Sequence, residues 1–123
     1  MADAPSWETQ ELLRRTYDAF NRRAIDSALA VMQPDVDWPN MIDNVRAIGH
    51  DAVREYWQRQ FATIDPHVEP EQMRLEDDGR VVVDVHQVIR LLDGSVRDDR
   101  MVQHVYTIRD GLVARMDVQS VRS

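Results

Sequence analysis

The 123-residue sequence contains no cysteine, and this absence removes several classes of chemistry. Disulfide bonds, thiolate nucleophiles and cysteine-ligated zinc sites are all excluded. Glycine and proline are scarce, at 4 and 5 residues, which is typical of a folded chain rather than a low-complexity or disordered one. No apolar run approaches the roughly 18 residues that a membrane span needs. We therefore expect a folded domain without a membrane partner.

Positive charge is also in short supply, because 15 basic residues face 22 acidic ones and the formal net charge is -7. Such a chain is repelled by phosphate backbones and anionic lipid, so we expect no nucleic-acid partner. The first residues lack the basic and apolar regions of a secretion signal, which favours a cytoplasmic protein. The length fits one domain, residues 1–123.

Motifs for metal or cofactor binding are missing. The four histidines, His50, His67, His86 and His104, form neither an i, i+4 pair nor an HExxH motif, so we predict no metal site. The sequence has no glycine-rich phosphate loop, no dinucleotide fingerprint and no nucleophilic-serine motif. We therefore predict no cofactor.

Three segments in the first half show the 3.6-residue spacing of amphipathic helices. They are residues 7–23, 26–32 and 51–64. Ser6 and Asp51 stand where N-terminal caps are expected, and Pro34 ends the second helix. Between the second and third helices, residues 36–38 are predicted as a brief strand and residues 39–48 as an irregular loop.

The second half shows the two-residue alternation of β-strands in four runs. They are residues 67–77, 80–92, 97–109 and 112–121. An Asp-Gly pair lies between each run and the next, and such pairs are typical of hairpin turns. Helices followed by an antiparallel meander predict an α+β fold in which three helices cover one face of a curved, mostly antiparallel sheet.

The order of these elements, together with four short motifs, resembles the SnoaL-like branch of the superfamily of nuclear transport factor 2 and ketosteroid isomerase. The motifs are Tyr17-Asp-Ala-Phe-Asn21, Asp35-Val-Asp-Trp38, Gly49-His-Asp-Ala-Val-Arg-Glu-Tyr-Trp57 and Asp110-Gly-Leu-Val113. The resemblance covers nearly the whole chain and implies a cone-shaped barrel with an apolar cavity at its wide end. Because this superfamily hosts isomerases, cyclases, epoxide hydrolases and binding modules, the fold does not fix the function.

The resemblance also implies a homodimer. The outer face of the sheet would supply the apolar contact area. The expected apolar residues on that face are Met101, Val105, Met116 and Val118.

Asp117 is the leading candidate for acid or base chemistry. It shares one face of the last strand with Val113, Arg115, Gln119 and Val121, and alternation alone would turn this polar set outward. The resemblance implies the opposite, since Asp117 aligns with the pocket aspartate of limonene epoxide hydrolase and of SnoaL-like cyclases. A carboxylate in an apolar cavity would have a raised pKa, which suits proton transfer near neutral pH.

His104 and Asn40 are further catalytic candidates. His104 lies on an apolar strand face, aligned with the protonated acid of ketosteroid isomerase, although a simple core histidine fits the pattern equally well. Asn40 follows Trp38 and Pro39 in a run similar to the one with which epoxide hydrolases hold their catalytic water. The resemblance supplies neither enzyme's complete catalytic set. Asn40 aligns with the general-base aspartate of ketosteroid isomerase. Val85 and Gln87 align with the arginine and the second aspartate with which epoxide hydrolases activate water.

Six residues are candidates for contact with a ligand. Gln87 interrupts the apolar face of its strand, and a buried amide needs either protein partners or a ligand. Five aromatic side chains would suit a flat apolar ligand, with ordinary core packing as the alternative. These are Tyr17, Phe20, Trp38, Tyr56 and Trp57.

Two functional hypotheses follow. The first is a cofactor-independent enzyme of the isomerase, cyclase or hydratase type that acts on a small apolar molecule, with Asp117 as acid or base. His104, Asn40 and Gln87 would then orient or polarise the substrate. The alternative is a non-catalytic ligand-binding or dimerisation module of the same fold. Convergence of Asp117 and His104 on one open pocket would favour the enzyme.

Overall fold

Three helices precede most of a six-stranded sheet in the computed structural model, which describes residues 3–120 of the chain. The helices are α1 (Trp7–Asn21), α2 (Ile25–Leu29) and α3 (His50–Thr63). The strands are β1 (Met32–Asn40), β2 (Val45–Ile48), β3 (Ile64–Leu75), β4 (Val81–Leu91), β5 (Val96–Arg109) and β6 (Leu112–Ser120). The predicted α+β class is confirmed.

The strand order across the sheet is β2-β1-β6-β5-β4-β3, so β2 and β3 form its edges and the curved sheet does not close into a barrel. All neighbouring strands are antiparallel except β1 and β6. The first and last strands therefore lie side by side in the middle of the sheet. None of the described helices is long and apolar enough to cross a membrane.

The helix boundaries have local causes. Ser6 caps α1 as predicted, because its Oγ accepts a hydrogen bond from the N–H of Thr9 at 3.2 Å. The start of α3 is different, since Gly49 rather than Asp51 is the cap residue. Gly49 has a φ of 87°, which a side chain would strain, and this sharp turn lets α3 begin directly after β2.

The region predicted as a brief strand and a loop contains two paired strands. β1 is longer than the predicted residues 36–38 and includes both Pro34 and Pro39. β2 lies in the stretch predicted as irregular and pairs with residues 37–40. Proline is tolerated because β1 makes only two aligned pairs with β6, so few of its N–H groups are needed in that ladder.

A β-bulge sets which residues of β6 face inward. Ile108 pairs with Val113 and Thr107 pairs with Arg115, which leaves Ala114 without a partner on β5. Beyond the bulge, the inner face carries Met116 and Val118, and the outer face carries Arg115, Asp117 and Gln119. Val121, which was grouped with the outward set, lies outside the described residues.

This strand phase corrects the expected dimer surface. Met116 and Val118 belong to the interior rather than to the outer face of the sheet. Val105 does lie on the outer face but is only 4% exposed, and Met101, at 39%, is the most accessible of the four. The outer face of the sheet is mainly polar, because ion pairs and amide hydrogen bonds connect its neighbouring strands.

Candidate functional site

A pocket lies between the inner face of the sheet and helices α1 and α3. Its cavity volume is about 80 Å³, several times the roughly 10–15 Å³ that one water molecule requires. Its walls are mostly aromatic and aliphatic, with a few hydroxyl, amide and imidazole groups. The lining residues are Thr16, Tyr17, Phe20, Trp38, Pro39, Met41, Tyr56, Trp57, Gln60, Pro66, Val68, Gln87, Ile89, His104, Tyr106, Met116 and Val118.

The five aromatic residues identified in the sequence all line this pocket. Trp57 of α3 is the centre of the wall, because Phe20 and Trp38 both pack edge-on against it at centroid distances of 5.7 and 5.4 Å. Edge-to-face pairs of this kind are favourable contacts. The wall is therefore closely packed and apolar, while its part in ligand binding stays a prediction.

Three buried polar side chains form a hydrogen-bonded chain at one end of the pocket. The Tyr106 hydroxyl donates to the Tyr17 hydroxyl at 2.9 Å, and the Tyr17 oxygen lies 2.8 Å from Nδ1 of His104. With Tyr106 donating, Tyr17 uses its own proton for Nδ1, and the ring hydrogen of His104 then sits on Nε2. Within residues 3–120, Nε2 has no hydrogen-bond partner, so it is free to donate to a molecule in the pocket.

Burial determines the charge of this chain of groups. It lowers the pKa of His104 from 6.5 to about 4, because the charged imidazolium would lose its hydration. It also raises the pKa values of Tyr17 and Tyr106 above that of free tyrosine. At neutral pH the three side chains are therefore uncharged and act as hydrogen-bond donors and acceptors rather than as ions.

The expectation that Asp117 faces the cavity with a raised pKa is wrong. Its carboxylate lies on the outer face of β6, 2.8 Å from Nε of Arg115 and 3.2 Å from Nη1 of Arg46. The hydrogen bond from Arg115 lowers the pKa of Asp117, and the charge of Arg46 adds to this effect. The physical reason is the alternation of β6, in which Met116 and Val118 already occupy the inward positions.

Asn40 is also absent from the pocket wall, although Pro39 and Met41 on either side belong to it. The side-chain Oδ1 of Asn40 accepts hydrogen bonds from the backbone N–H groups of Ile42 and Asp43 at 3.0 and 2.9 Å. This is the side-chain capping that asparagine commonly provides at turns. The amide of Asn40 thus holds the turn between β1 and β2, and it does not join His104 in one site.

The pocket contains two carboxamides, one of which the sequence reasoning missed. Gln87 lines the wall as predicted, and no side-chain hydrogen bond within residues 3–120 involves it. Gln60 of α3 also lines the wall, and its Oε1 is the one buried side-chain nitrogen or oxygen atom within residues 3–120 that has no hydrogen-bond partner. The signal was present, because Gln60 falls on the same helical stripe as Tyr56 and Trp57.

No carboxylate is among the residues that line the pocket, and within residues 3–120 no three histidine, aspartate or glutamate side chains are grouped to hold a metal ion. The groups available for chemistry are therefore hydroxyl, imidazole and amide groups. They can bind and polarise a neutral or anionic oxygen, but none is a strong base at neutral pH.

A family model described as the SnoaL-like domain matches residues 13–116 of the chain. This match includes every residue of the hydrogen-bonded chain and most of the pocket wall. Among curated proteins, none matches this chain by sequence.

Solved structures share the fold at low sequence identity. An NTF2-like protein of unknown function from Burkholderia pseudomallei is 22% identical, with a TM-score of 0.80 over 94% of this chain and 92% of the other. TerC, co-crystallised with polyporic acid, is 25% identical, with a TM-score of 0.79 over 93% and 92%. RV0760c from Mycobacterium tuberculosis, in complex with estradiol-17beta-hemisuccinate, is 14% identical, with a TM-score of 0.75 over 89% and 90%.

Proposed function

This chain belongs to the SnoaL-like domain family, and on that premise we propose that its pocket binds a small, flat, mostly apolar molecule through a carbonyl-type oxygen. The observation that carries the proposal is the contact of 2.8 Å between the Tyr17 hydroxyl and His104 inside an aromatic pocket. The pocket excludes water from the rest of the ligand, and the imidazole offers it one directed hydrogen bond.

The hydrogen bond from Nε2 of His104 has favourable conditions. The ring is 7% exposed and uncharged, so the donor is neutral and poorly hydrated before the ligand arrives. Because Tyr17 occupies Nδ1, the tautomer that donates from Nε2 is the one the network supports. Hydrogen bonds are electrostatically stronger in such a low-dielectric setting than in water.

The ligands of two similar structures support this class of molecule. TerC was co-crystallised with polyporic acid, and RV0760c was solved in complex with estradiol-17beta-hemisuccinate. Both compounds are built from rings and carry carbonyl and hydroxyl or carboxyl oxygens. They are therefore suitable first probes for this pocket.

Catalysis by a cofactor-independent isomerase- or cyclase-type reaction is the second candidate. The observation in its favour is that Nε2–H of His104, which Tyr17 supports by donating to Nδ1, could stabilise an oxyanion formed from a ligand carbonyl. Loss of one such donor commonly lowers a rate by about 10²- to 10³-fold. No carboxylate lines the described pocket, so the proton would have to move to a water molecule or within the substrate, which makes binding the better-supported function.

The binding proposal can be tested with 1-tetralone, a two-ring ketone with a single acceptor oxygen. Trp38 and Trp57 line the pocket, so their fluorescence should report binding, and Trp7 is 70% exposed and can be removed as Trp7→Phe. We expect His104→Phe to weaken binding by about 3- to 10-fold, the usual effect of one neutral hydrogen bond. Tyr17→Phe should weaken it by a smaller factor.

Two control variants separate the pocket from the outer face of the sheet. His86→Phe changes a histidine on that outer face, where it pairs with Asp99. Asp117→Asn removes the carboxylate that was expected to act as acid or base. Both controls should bind 1-tetralone as the wild type does. A loss of affinity in Asp117→Asn equal to that in His104→Phe would contradict the proposed site.

We also propose that the protein forms a homodimer. Apolar side chains exposed near the β4–β5 hairpin support it, since Leu92 is 65% and Val96 is 55% exposed. Size-exclusion chromatography with light scattering should give twice the chain mass of 14.3 kDa. A mass of one chain across the concentration range would contradict the dimer.

A further inference from the structure

Gln60 is a polar residue of the pocket whose Oε1 has no hydrogen-bond partner within residues 3–120. Its Oε1 is fully buried without a donor, and its Nε2 makes one long hydrogen bond of 3.3 Å to the Tyr56 hydroxyl. Buried acceptors without partners are rare in folded proteins, because each one has lost its hydration without compensation. A carboxamide at a pocket wall can recover that loss when a ligand supplies the missing donor.

The course of the chain places Gln60 and Gln87 at the same end of the pocket. Helix α3 passes into β3 without a connecting residue, so Gln60 lies one turn before that strand begins. The early residues Pro66 and Val68 of β3 pair with Ile89 and Gln87 of β4. Both carboxamides therefore border the region where α3 meets β3 and β4.

His104 lies toward the other end. It pairs with Val83 of β4, which is four residues before Gln87 on the same strand. Four residues of a strand span about 13 Å. The pocket thus has polar groups at two separate levels of the sheet, and Phe20, Trp38 and Trp57 line the same pocket.

We infer that Gln60 and Gln87 form a second polar subsite, which selects ligands that carry a hydroxyl group at the end remote from His104. Gln60 Oε1 would accept the hydroxyl hydrogen, and the amide N–H of Gln87 would donate to the hydroxyl oxygen. The terminal torsion of glutamine is soft, so Oε1 can turn toward the ligand at small cost. The ligand class is a hydroxylated ring ketone, and this inference rests on the proposed function.

Three related probes test the inference on the wild-type protein at pH 6. They are 1-tetralone, 6-methoxy-1-tetralone and 6-hydroxy-1-tetralone, which share the ketone and differ at the far end. We expect the hydroxyl compound to bind about 3- to 10-fold more tightly than the methoxy compound, the gain typical of one or two neutral hydrogen bonds. Equal binding of these two compounds would overturn the inference and leave ketone binding intact.

Gln60→Met provides a second readout, with Gln58→Met on the exposed side of α3 as its matched control. Gln60→Met should remove the preference for the hydroxyl compound, measured as the ratio of the dissociation constants of 6-methoxy-1-tetralone and 6-hydroxy-1-tetralone on the same variant. Because the substitution also removes the unpaired acceptor, the ligand-free variant should melt at or above the wild-type temperature. A purely structural role would instead lower the melting temperature and leave the preference in place.

The outcomes separate the two proposals. If 1-tetralone and both derivatives fail to bind, the proposed function fails for ring ketones and the subsite fails with it. If Gln60→Met does not fold, the wild-type comparison still decides, and Gln87→Met should lower the same ratio of dissociation constants. A preference that survives both Gln60→Met and Gln87→Met would overturn the inference.

Discussion

His104 is a buried base whose titration links the pocket to the stability of the protein. The folded-state pKa is about 4 and the ordinary value is 6.5, so between these values the unfolded chain binds a proton that the folded protein does not. The free energy of unfolding should therefore be highest above pH 6.5 and fall as the pH is lowered toward 4. The shift corresponds to about 3 kcal/mol across this window.

Urea unfolding at pH 7, 6, 5 and 4.5 checks this prediction against His104→Phe, whose stability should depend less on pH. His86 titrates with the opposite sign, because its hydrogen bond with Asp99 raises its pKa. That contact stabilises the fold below the unfolded-state pKa and is lost as the pH rises through the folded-state value. Identical pH profiles for the wild type and His104→Phe would show that His104 is not held neutral by burial.

The sequence predicted the direction of a side chain correctly where the regular spacing of one strand or helix determines that direction. Alternation within regular strands put His104 and Gln87 on the apolar side, and helical spacing put Tyr17 and Trp57 there, as the structure has them. Asp117 was placed inward by resemblance alone, against the alternation of its own strand. Position in an alignment carries no information about which way a side chain points unless the strand phase is also conserved.

The link between Asn40 and its turn was unpredictable for another reason. Whether an asparagine faces a pocket or accepts hydrogen bonds from the next two backbone N–H groups depends on the exact backbone path of the turn. Residues 39–48 were predicted only as an irregular loop, so the sequence provided no backbone conformation for the turn that follows Asn40. The sequence analysis therefore predicted neither strand β2 nor the hydrogen bonds of Asn40 in the turn before it.

Local hairpins were the elements that the sequence predicted best. Each of the three Asp-Gly pairs lies at a turn, and each glycine has a positive φ. Only Asp110-Gly111 has positive φ at both residues, as the expected type I′ turn requires. The parallel pairing of β1 with β6 escaped prediction, because it joins segments about 80 residues apart and no local pattern encodes it.

Arg46 of β2 stabilises this parallel junction. Its Nη2 donates to the backbone oxygens of Asp37 on β1 and Met116 on β6, at 3.0 and 2.6 Å. Its Nε and Nη1 donate to the carboxylates of Asp37 and Asp117. Since β1 and β6 share only two aligned pairs, one guanidinium supplies contacts that a regular ladder would otherwise make.

We predict that Arg46→Met lowers the free energy of unfolding by about 2 kcal/mol or more, because several charge-assisted hydrogen bonds are lost together. Arg46→Lys should recover little, since an ammonium cannot match the planar fork. Arg109→Met is the control, because Arg109 pairs with Asp35 at an exposed site and should cost less than about 1 kcal/mol. Equal losses in urea unfolding for Arg46→Met and Arg109→Met would contradict the junction role.

The unfilled space of the pocket lowers the free energy of unfolding of the whole domain. At 24 cal/mol per Å³ of unfilled cavity, a volume of about 80 Å³ corresponds to about 2 kcal/mol of lost stability. That is a large share of the roughly 5–15 kcal/mol by which a domain is stable. The chain could have closed this space with larger side chains from β6 or β3. The cavity lies next to the unpaired Oε1 of Gln60, and a bound ligand could both fill the cavity and supply the missing hydrogen bond.

Filling the pocket should therefore raise stability and abolish binding in one step. Val118 lines the pocket from β6, and Val118→Phe places a ring in the space that the ligand would occupy. We expect the free energy of unfolding without ligand to rise by about 1 kcal/mol, since only part of the cavity cost is recovered in an imperfect fit. The affinity for 1-tetralone should fall at least about 10-fold.

Thermal unfolding with and without 1-tetralone measures both effects. At 100 times its dissociation constant, the ligand should stabilise the wild type by about 2.7 kcal/mol and the Val118→Phe variant much less. Val45→Phe adds the same ring at a site that is 56% exposed on β2 and is not part of the pocket wall, and it should alter neither quantity. If Val118→Phe retained full stabilisation by 1-tetralone, the ligand would bind elsewhere, because the filled pocket and a bound ring cannot occupy the same volume.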